Sequence, residues 1–345
     1  MQLQWRLVAL GLSAALIGMP AADAADGRSA AGLRHSVAIE ESRSGAASPH
    51  LLPLLDRLAG AQFDDGAVAE AAASRRRALK IALRVYGGQS TNAALAMVAL
   101  AGVELLRHRY TEAEPLMIAA LPALDARFGA DSPALAEPLA GLARIALARG
   151  DTPAAESWAN QANAILARHP AGVTSEPLRA LGAVYGAADR FDDGERVLRA
   201  ALARDQKLHG AASVETARSL AGLANLLLRA RRFDEALPLI EQAIAIDQAR
   251  LGATHPLIAD DFADLGMIYA ALGRDDSASA ALYFALDLLD RGAGEETPRV
   301  AYAELALAPV LRRLGETGDA DAAFADAKRI LDRAAEDERR RERQL

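Results

Sequence analysis

The 345-residue sequence contains no cysteine. That excludes disulfide bracing, thiolate zinc sites and a lipid on an N-terminal Cys, so stability has to come from packing. Aromatic residues make up only 4%, and Val, Ile and Thr are sparse beside Ala and Leu. With strand formers so poorly represented, the composition favours an all-helical fold. A positive net charge is missing too. The formal charge is −7, and it stays −7 when Met1 to Ala24 is removed, because Arg6 and Asp23 leave together. Basic residues are interleaved with acids along the chain, which argues against nucleic acid as a partner. The one dense basic cluster ahead of the C-terminal tail, Arg75-Arg76-Arg77, is expected to be a solvated helix face.

Apolar runs of membrane-spanning length are also absent. The N-terminal stretch "MQLQWRLVALGLSAALIGMPAADAA" has a short region with Arg6, an apolar run from Leu7 to Met19 and small residues at Ala22-Asp23-Ala24. The run is shorter than the roughly 20 residues a bilayer requires and ends in Pro20. It reads as a secretory signal over residues 1–24, cut after Ala24, and places the mature chain in the periplasm or outside the cell. The later run Asn92 to Leu106 is again too short and is interrupted by Glu104. No membrane span is therefore expected after cleavage.

Residues 25–50 are rich in Ser, Gly and Ala and read as a flexible leader. Beyond them the sequence repeats. Glycines recur at Gly87, Gly129, Gly210, Gly252 and Gly294, spaced by 42 except for one gap of 81 that hides a further unit shortened by three residues. Sixteen positions before each Gly stands a small residue, at Ala71, Ala113, Gly194, Ala236 and Ala278, with Ala155 and Ala320 in the same phase. Two markers in phase define seven units over residues 51–333, the signature of a solenoid.

Each unit divides into two helices. In the clearest, Leu220, Leu223 and Leu227 recur at helical spacing, and Leu237, Ile240 and Ile244 do so again after the polar break "RARRFDE". The small residue, Ala236 there, is placed where the second helix crosses the first, with Ala224 opposite it. The recurrent Gly is expected to give a left-handed helix stop, and Ser or Thr before Pro, as in Ser132-Pro133 and Thr297-Pro298, to cap the next helix. "RLGATHP" around His255 is such a joint rather than a metal site. Pro309 is expected to bend or shorten the seventh unit's first helix. The residues 334–345 form a charged tail.

These residues resemble the tetratricopeptide repeat family, in its 42-residue variety typified by kinesin light chains. A large residue, then Leu-Gly, Tyr and Ala stand at Phe262, Leu265, Gly266, Tyr269 and Ala278, and the frame returns at Leu178, Leu181, Gly182, Tyr185 and Gly194. Other units keep it with Leu or Met for the aromatic. The resemblance implies an all-α, right-handed superhelical solenoid of antiparallel helix pairs, whose first helices line a groove that holds a peptide or helix of another protein. Carried over unit by unit, the groove positions are Glu137 and Arg144, Glu176 and Arg179, Arg218, Asn225 and Arg229, then Asp260, Asp264 and Met267. Ala221 and Ala263 stand where a family clamp for chaperone C-terminal carboxylates would place its polar residues, so that mode is disfavoured, and Arg218, Asn225 and Arg229 form at most a smaller acceptor site.

No phosphate loop, dinucleotide turn or nucleophile elbow is present, and no cofactor is implied. The six histidines are scattered with no metal-ligand spacing. The acid pairs Asp64-Asp65, Asp192-Asp193 and Asp275-Asp276 are assigned to helix starts, where they answer exposed donors rather than form a glycosidase pair. Trp158 is assigned to packing. The reading is a non-catalytic protein-interaction scaffold of the cell envelope. The alternatives are a helical-repeat enzyme or carbohydrate-binding protein, and a structural protein that self-assembles into homo-oligomers.

Overall fold

The computed structural model describes residues 29–293 and 297–342, which hold fifteen α-helices and no strand. The signal segment and Gly294 lie outside the described residues. Two compact units are present, Met1–Gly222 and Leu223–Leu345.

After a leading helix α1 (Ala30–Ser44), fourteen helices alternate as first and second members of seven pairs. In the first unit these are α2 (Leu52–Asp64) with α3 (Val68–Tyr86), α4 (Thr91–Leu106) with α5 (Tyr110–Phe128), α6 (Ala136–Ala148) with α7 (Thr152–Arg168), and α8 (Glu176–Ala187) with α9 (Phe191–His209). Helix α10 (Val214–Arg229) contains the boundary and precedes α11 (Phe233–Leu251). The second unit continues with α12 (Ala259–Ala271), α13 (Asp275–Ala293), α14 (Pro298–Leu314) and α15 (Thr317–Glu342). Within each unit the pairs pack internally and against the next pair.

The pairs form because small residues let their backbones approach. Ala71, Ala113, Ala155, Ala236, Ala278 and Ala320 are all fully buried, and Gly194 is buried at the same register. Twelve residues earlier on each first helix the partner position is equally closed: Ala59, Ala101, Ala143, Ala224 and Ala308 are at most 4% exposed, and Gly182 and Gly266 complete the series. Large side chains fill the space around these crossings. Leu105, Met117, Leu142 and Ile145 form one such cluster, with Trp158 packed against it as assigned.

The turn inside every pair has one residue at positive φ, five positions before the small residue of the second helix. Gly66, Gly150, Gly273 and Gly315 occupy it in four units, but His108 (φ 55°), Asp189 (φ 57°) and Arg231 (φ 60°) do so in the other three. A side chain at such a φ costs about 1–2 kcal/mol, which Gly avoids. Arg231 is exposed, so little packing is lost on removing it. Arg231→Gly should therefore stabilise the second unit by about 0.5–1 kcal/mol, after allowing for the freer unfolded chain, and raise the midpoint in a urea melt. An unchanged or lower midpoint would show that the strain is absent.

Several expectations need correction. Gly87, Gly129, Gly210 and Gly252 do have positive φ, at 82°, 88°, 88° and 94°, but their ψ lies between 151° and 159°, so they adopt the extended glycine-only region rather than the left-handed helical one. Nothing lies within 4 Å of a Cβ built there, so backbone conformation alone dictates glycine. The joint is capped by the residue before Pro: Ser132 accepts from the Ala134 N–H, as expected, and His255 does so from Leu257 through Nδ1 at 3.2 Å. Thr297 makes no such bond, and α14 continues through Pro309 to Leu314. Asp64-Asp65 ends α2 instead of starting a helix, because the turn Gly66-Ala67 separates it from α3.

The supposed leader is largely the helix α1, whose Ala30, Leu33 and Val37 pack on Leu51, Leu55 and Ile81. Ion pairs Arg34–Glu70 and Arg77–Glu41 tie it to α3. The charged tail is not separate either, since α15 runs on to Glu342. Among the described residues no helix is long and apolar enough to cross a membrane.

Candidate functional site

The first unit contains a cavity of about 100 Å³, and five consecutive first helices converge on it. Helix α2 contributes Ala59, Gly60 and Phe63, and α4 contributes Gly102, Val103 and Leu106. Gly60 and Gly102 stand at the register position that carries Arg144 in the next unit. Their missing side chains open the space. Helices α6, α8 and α10 close the other end with Glu137 and Arg144, Glu176 and Arg179, and Glu215 and Arg218. Arg75 and Met117 reach in from second helices, so the cavity has an apolar end and a charged end.

Five of the ten sequence candidates, Glu137, Arg144, Glu176, Arg179 and Arg218, thus share one cavity. The other five lie in the second unit. There Asn225 donates to Asp264 at 2.9 Å, Asp260 pairs with Arg299 at 2.7 Å, Met267 is half-buried and Arg229 is exposed. The Asn225 amide is thereby turned to a carboxylate of its own unit, which counts against the small acceptor site expected of Arg218, Asn225 and Arg229. Burial pushes Asp264 up to about 7, Asp260 adds to this, and the Asn225 hydrogen bond opposes it.

Most charges at the cavity are paired internally. Arg144 donates to Glu176 at 3.2 Å, and Arg179 donates to the same carboxylate through Nη2 at 2.8 Å and Nε at 3.1 Å. Burial alone would raise the Glu176 carboxyl, but the two guanidiniums, Arg179 foremost, outweigh it and hold it down to about 2. Behind this pair sits a node that sequence reasoning missed. Asp205 of α9, 1% exposed, accepts from Arg179 Nη1 at 2.9 Å, from Ser219 Oγ at 2.6 Å and from Ser175 Oγ.

Glu137 differs from Glu176. It is half-buried and among the described residues has no hydrogen-bond or salt-bridge partner. Burial, aided by the Glu176 charge, pushes it up to about 7, against the pull of Arg75, Arg218 and Arg179.

The basic triplet is a solvated face only in part: Arg76 is exposed and Arg77 half-buried, but Arg75 is not. Arg75 is buried and bound to Asp56 at 2.5 Å, Arg76 to Glu104 at 2.6 Å and Arg77 to Glu41 at 2.7 Å. Successive helical residues point about 100° apart, so three neighbours in sequence meet three different partners. Glu104 is completely buried between Arg76 and Arg107. It occupies the register where Tyr185 and Tyr269 carry the family aromatic, and Gln62 holds that place in the first pair.

With seven helix pairs in one register, the comparison with known proteins is decisive. A family model for the tetratricopeptide repeat matches residues 92–168, 174–249 and 222–291, together more than half of the chain. The chain belongs to the tetratricopeptide repeat family. No curated protein matches it significantly. Among solved structures, a chain of the APC/C hetero-tetramer Cut9-Hcn1 is 16% identical over 86% of this chain and 52% of that one, with a TM-score of 0.57, a likeness of fold alone. BtubC (BKLC) from P. vanneervenii is 21% identical over 71% of this chain and 92% of that one, with a TM-score of 0.48. A Podosopora anserina protein with kinesin-light-chain TPR-like repeats is also 21% identical, covering 59% of this chain and 97% of its own, at 0.42. Tetratricopeptide repeat proteins are in general protein-interaction scaffolds and typically not catalysts.

Proposed function

We propose that this chain is a non-catalytic, exported scaffold whose first-helix face holds a peptide or helix of another protein. The observation that carries the reading is the cavity: all but three of its lining residues come from first helices, and five successive first helices contribute. A groove built this way presents alternating apolar and charged positions to an extended or helical segment laid along it, which is how a repeat array converts a stack into a binding surface. Export rests on the segment Met1 to Ala24, and a mature N-terminus at Ala25 in the secreted or periplasmic fraction would test it.

The partner-binding half is tested by site-specific photocrosslinking in the producing cell. A crosslinker placed at Arg218 or Asp260, on first helices, should trap one partner protein. The same crosslinker at Lys207 or Gln242, exposed on second helices, should not. Trapping from the second-helix positions alone, or a product that is a dimer of the chain itself, would overturn the groove reading.

A further inference from the structure

We propose that the cavity of the first unit receives the ammonium end of a lysine side chain carried by the partner segment, with Glu137 as the anchoring carboxylate. The inference rests on the scaffold reading and names what that partner must present.

The charge arrangement selects the sign. Arg75 is bound to Asp56, and Arg144 and Arg179 both donate to Glu176, with Arg179 also holding Asp205. Arg218 stands one helical turn from the buried Glu215 on the same helix and acts electrostatically on Glu137 and Glu176. Glu137 and Glu215 are the cavity carboxylates with no donor among the described residues, and of the two Glu215 is buried whereas Glu137 is half-buried and within reach of a ligand. An incoming anion would meet Arg75, Arg144 and Arg179 with donors already turned to Asp56, Glu176 and Asp205, beside the unpaired carboxylates of Glu137 and Glu215. An incoming cation supplies the hydrogen bonds that Glu137 lacks and relieves its repulsion from Glu176.

Shape selects the arm. Gly60 and Gly102 leave a slot walled by Ala59, Phe63, Val103 and Leu106. The volume of the whole cavity, about 100 Å³, is several times what one water needs. A lysine buries its apolar stem against such a wall while its charged head reaches a polar end.

The probe is n-butylammonium, the lysine side chain without its backbone, titrated into the full mature chain by calorimetry. An alkylammonium stays protonated well above neutrality. Glu176 is held at about 2 and no histidine lines the cavity, so Glu137 is the group whose ionisation governs binding through neutral pH. With its pKa near 7, affinity should rise about tenfold between roughly pH 6 and pH 8, because the bound cation requires the ionised carboxylate. Glu137→Gln, which keeps shape and should fold, should lower affinity at pH 8 about tenfold and remove the pH dependence.

Preference for n-butyrate, equal affinity of Glu137→Gln, or no binding of n-butylammonium would each overturn the proposal. Preference for a guanidinium probe would overturn the choice of lysine. A crosslinked partner whose binding is indifferent to Glu137→Gln sinks this pocket and leaves the scaffold standing. Glu137-dependent binding of n-butylammonium with no protein partner trapped from the first helices does the reverse.

Discussion

Asp205→Ala should cost about 3–5 kcal/mol of stability, read as a shift in the urea midpoint of the transition that reports the first unit. The carboxylate is 1% exposed and accepts from Arg179, Ser175 and Ser219. Removing it leaves two buried hydroxyls, Ser175 at 1% and Ser219 fully enclosed, without their acceptor. It also leaves the Arg179 guanidinium, whose side chain is 12% exposed, with Glu176 as its remaining carboxylate. Losing one member of a buried pair is expensive because the other charge stays desolvated. Asp205→Asn keeps one acceptor oxygen for a serine and should cost roughly half as much. If both variants melt within about 0.5 kcal/mol of the parent, the node is hydrated and its hydrogen bonds contribute little.

Gly182→Val is the second large effect, at about 3 kcal/mol. A Cβ built on Gly182 would lie 2.4 Å from Leu198 Cγ and 2.8 and 2.9 Å from its two Cδ atoms. Leu198 is 2% exposed and cannot swing out of the way, so the two helices must separate. The contrast is Gly222 on α10, where an added Cβ would be 3.4 Å from Leu198 Cδ2 and make ordinary contact. Gly222→Ala should therefore gain about 0.5–1 kcal/mol from helix propensity alone. Two glycines touching one leucine are thus expected to respond with opposite signs. Equal responses in thermal and urea melts would refute the close-approach account. Repeat arrays can unfold in stages, so both variants should be followed by a probe in the first unit as well as by overall helicity.

The repeat frame was legible because its causes are local. A small residue at a helix crossing, a glycine forced by positive φ and a cap before proline each leave a mark at a fixed offset, and the 42-residue period repeats the mark. The seven helix pairs follow the seven units read from Ala71, Ala113, Ala155, Gly194, Ala236, Ala278 and Ala320. Asp205 and Asp247 could also have been found this way. They stand 42 apart at a register where other units carry Leu124, Leu166 and Leu289, so an acid there had to be buried. The leader was misread because Ser, Gly and Ala dominate its composition, yet the three apolar residues Ala30, Leu33 and Val37 were enough to seat one turn after another of α1 on its neighbour.

The amino-acid sequence by itself determined the helical class, the unit length, the number of pairs and the positions facing along the first helices. Those depend on spacing within about 40 residues, and spacing is written in the chain. Only the tertiary structure decided which charges are consumed. Arg75, Arg76 and Arg77 look alike in sequence, but each meets a carboxylate brought from a different helix. Glu137 and Glu176 share a register and a residue type. One is clamped by two arginines and held down to about 2, while the other is left without a donor and pushed up to about 7. That difference arises from side chains dozens of residues apart meeting in three dimensions, where burial and charge act through space rather than along the chain.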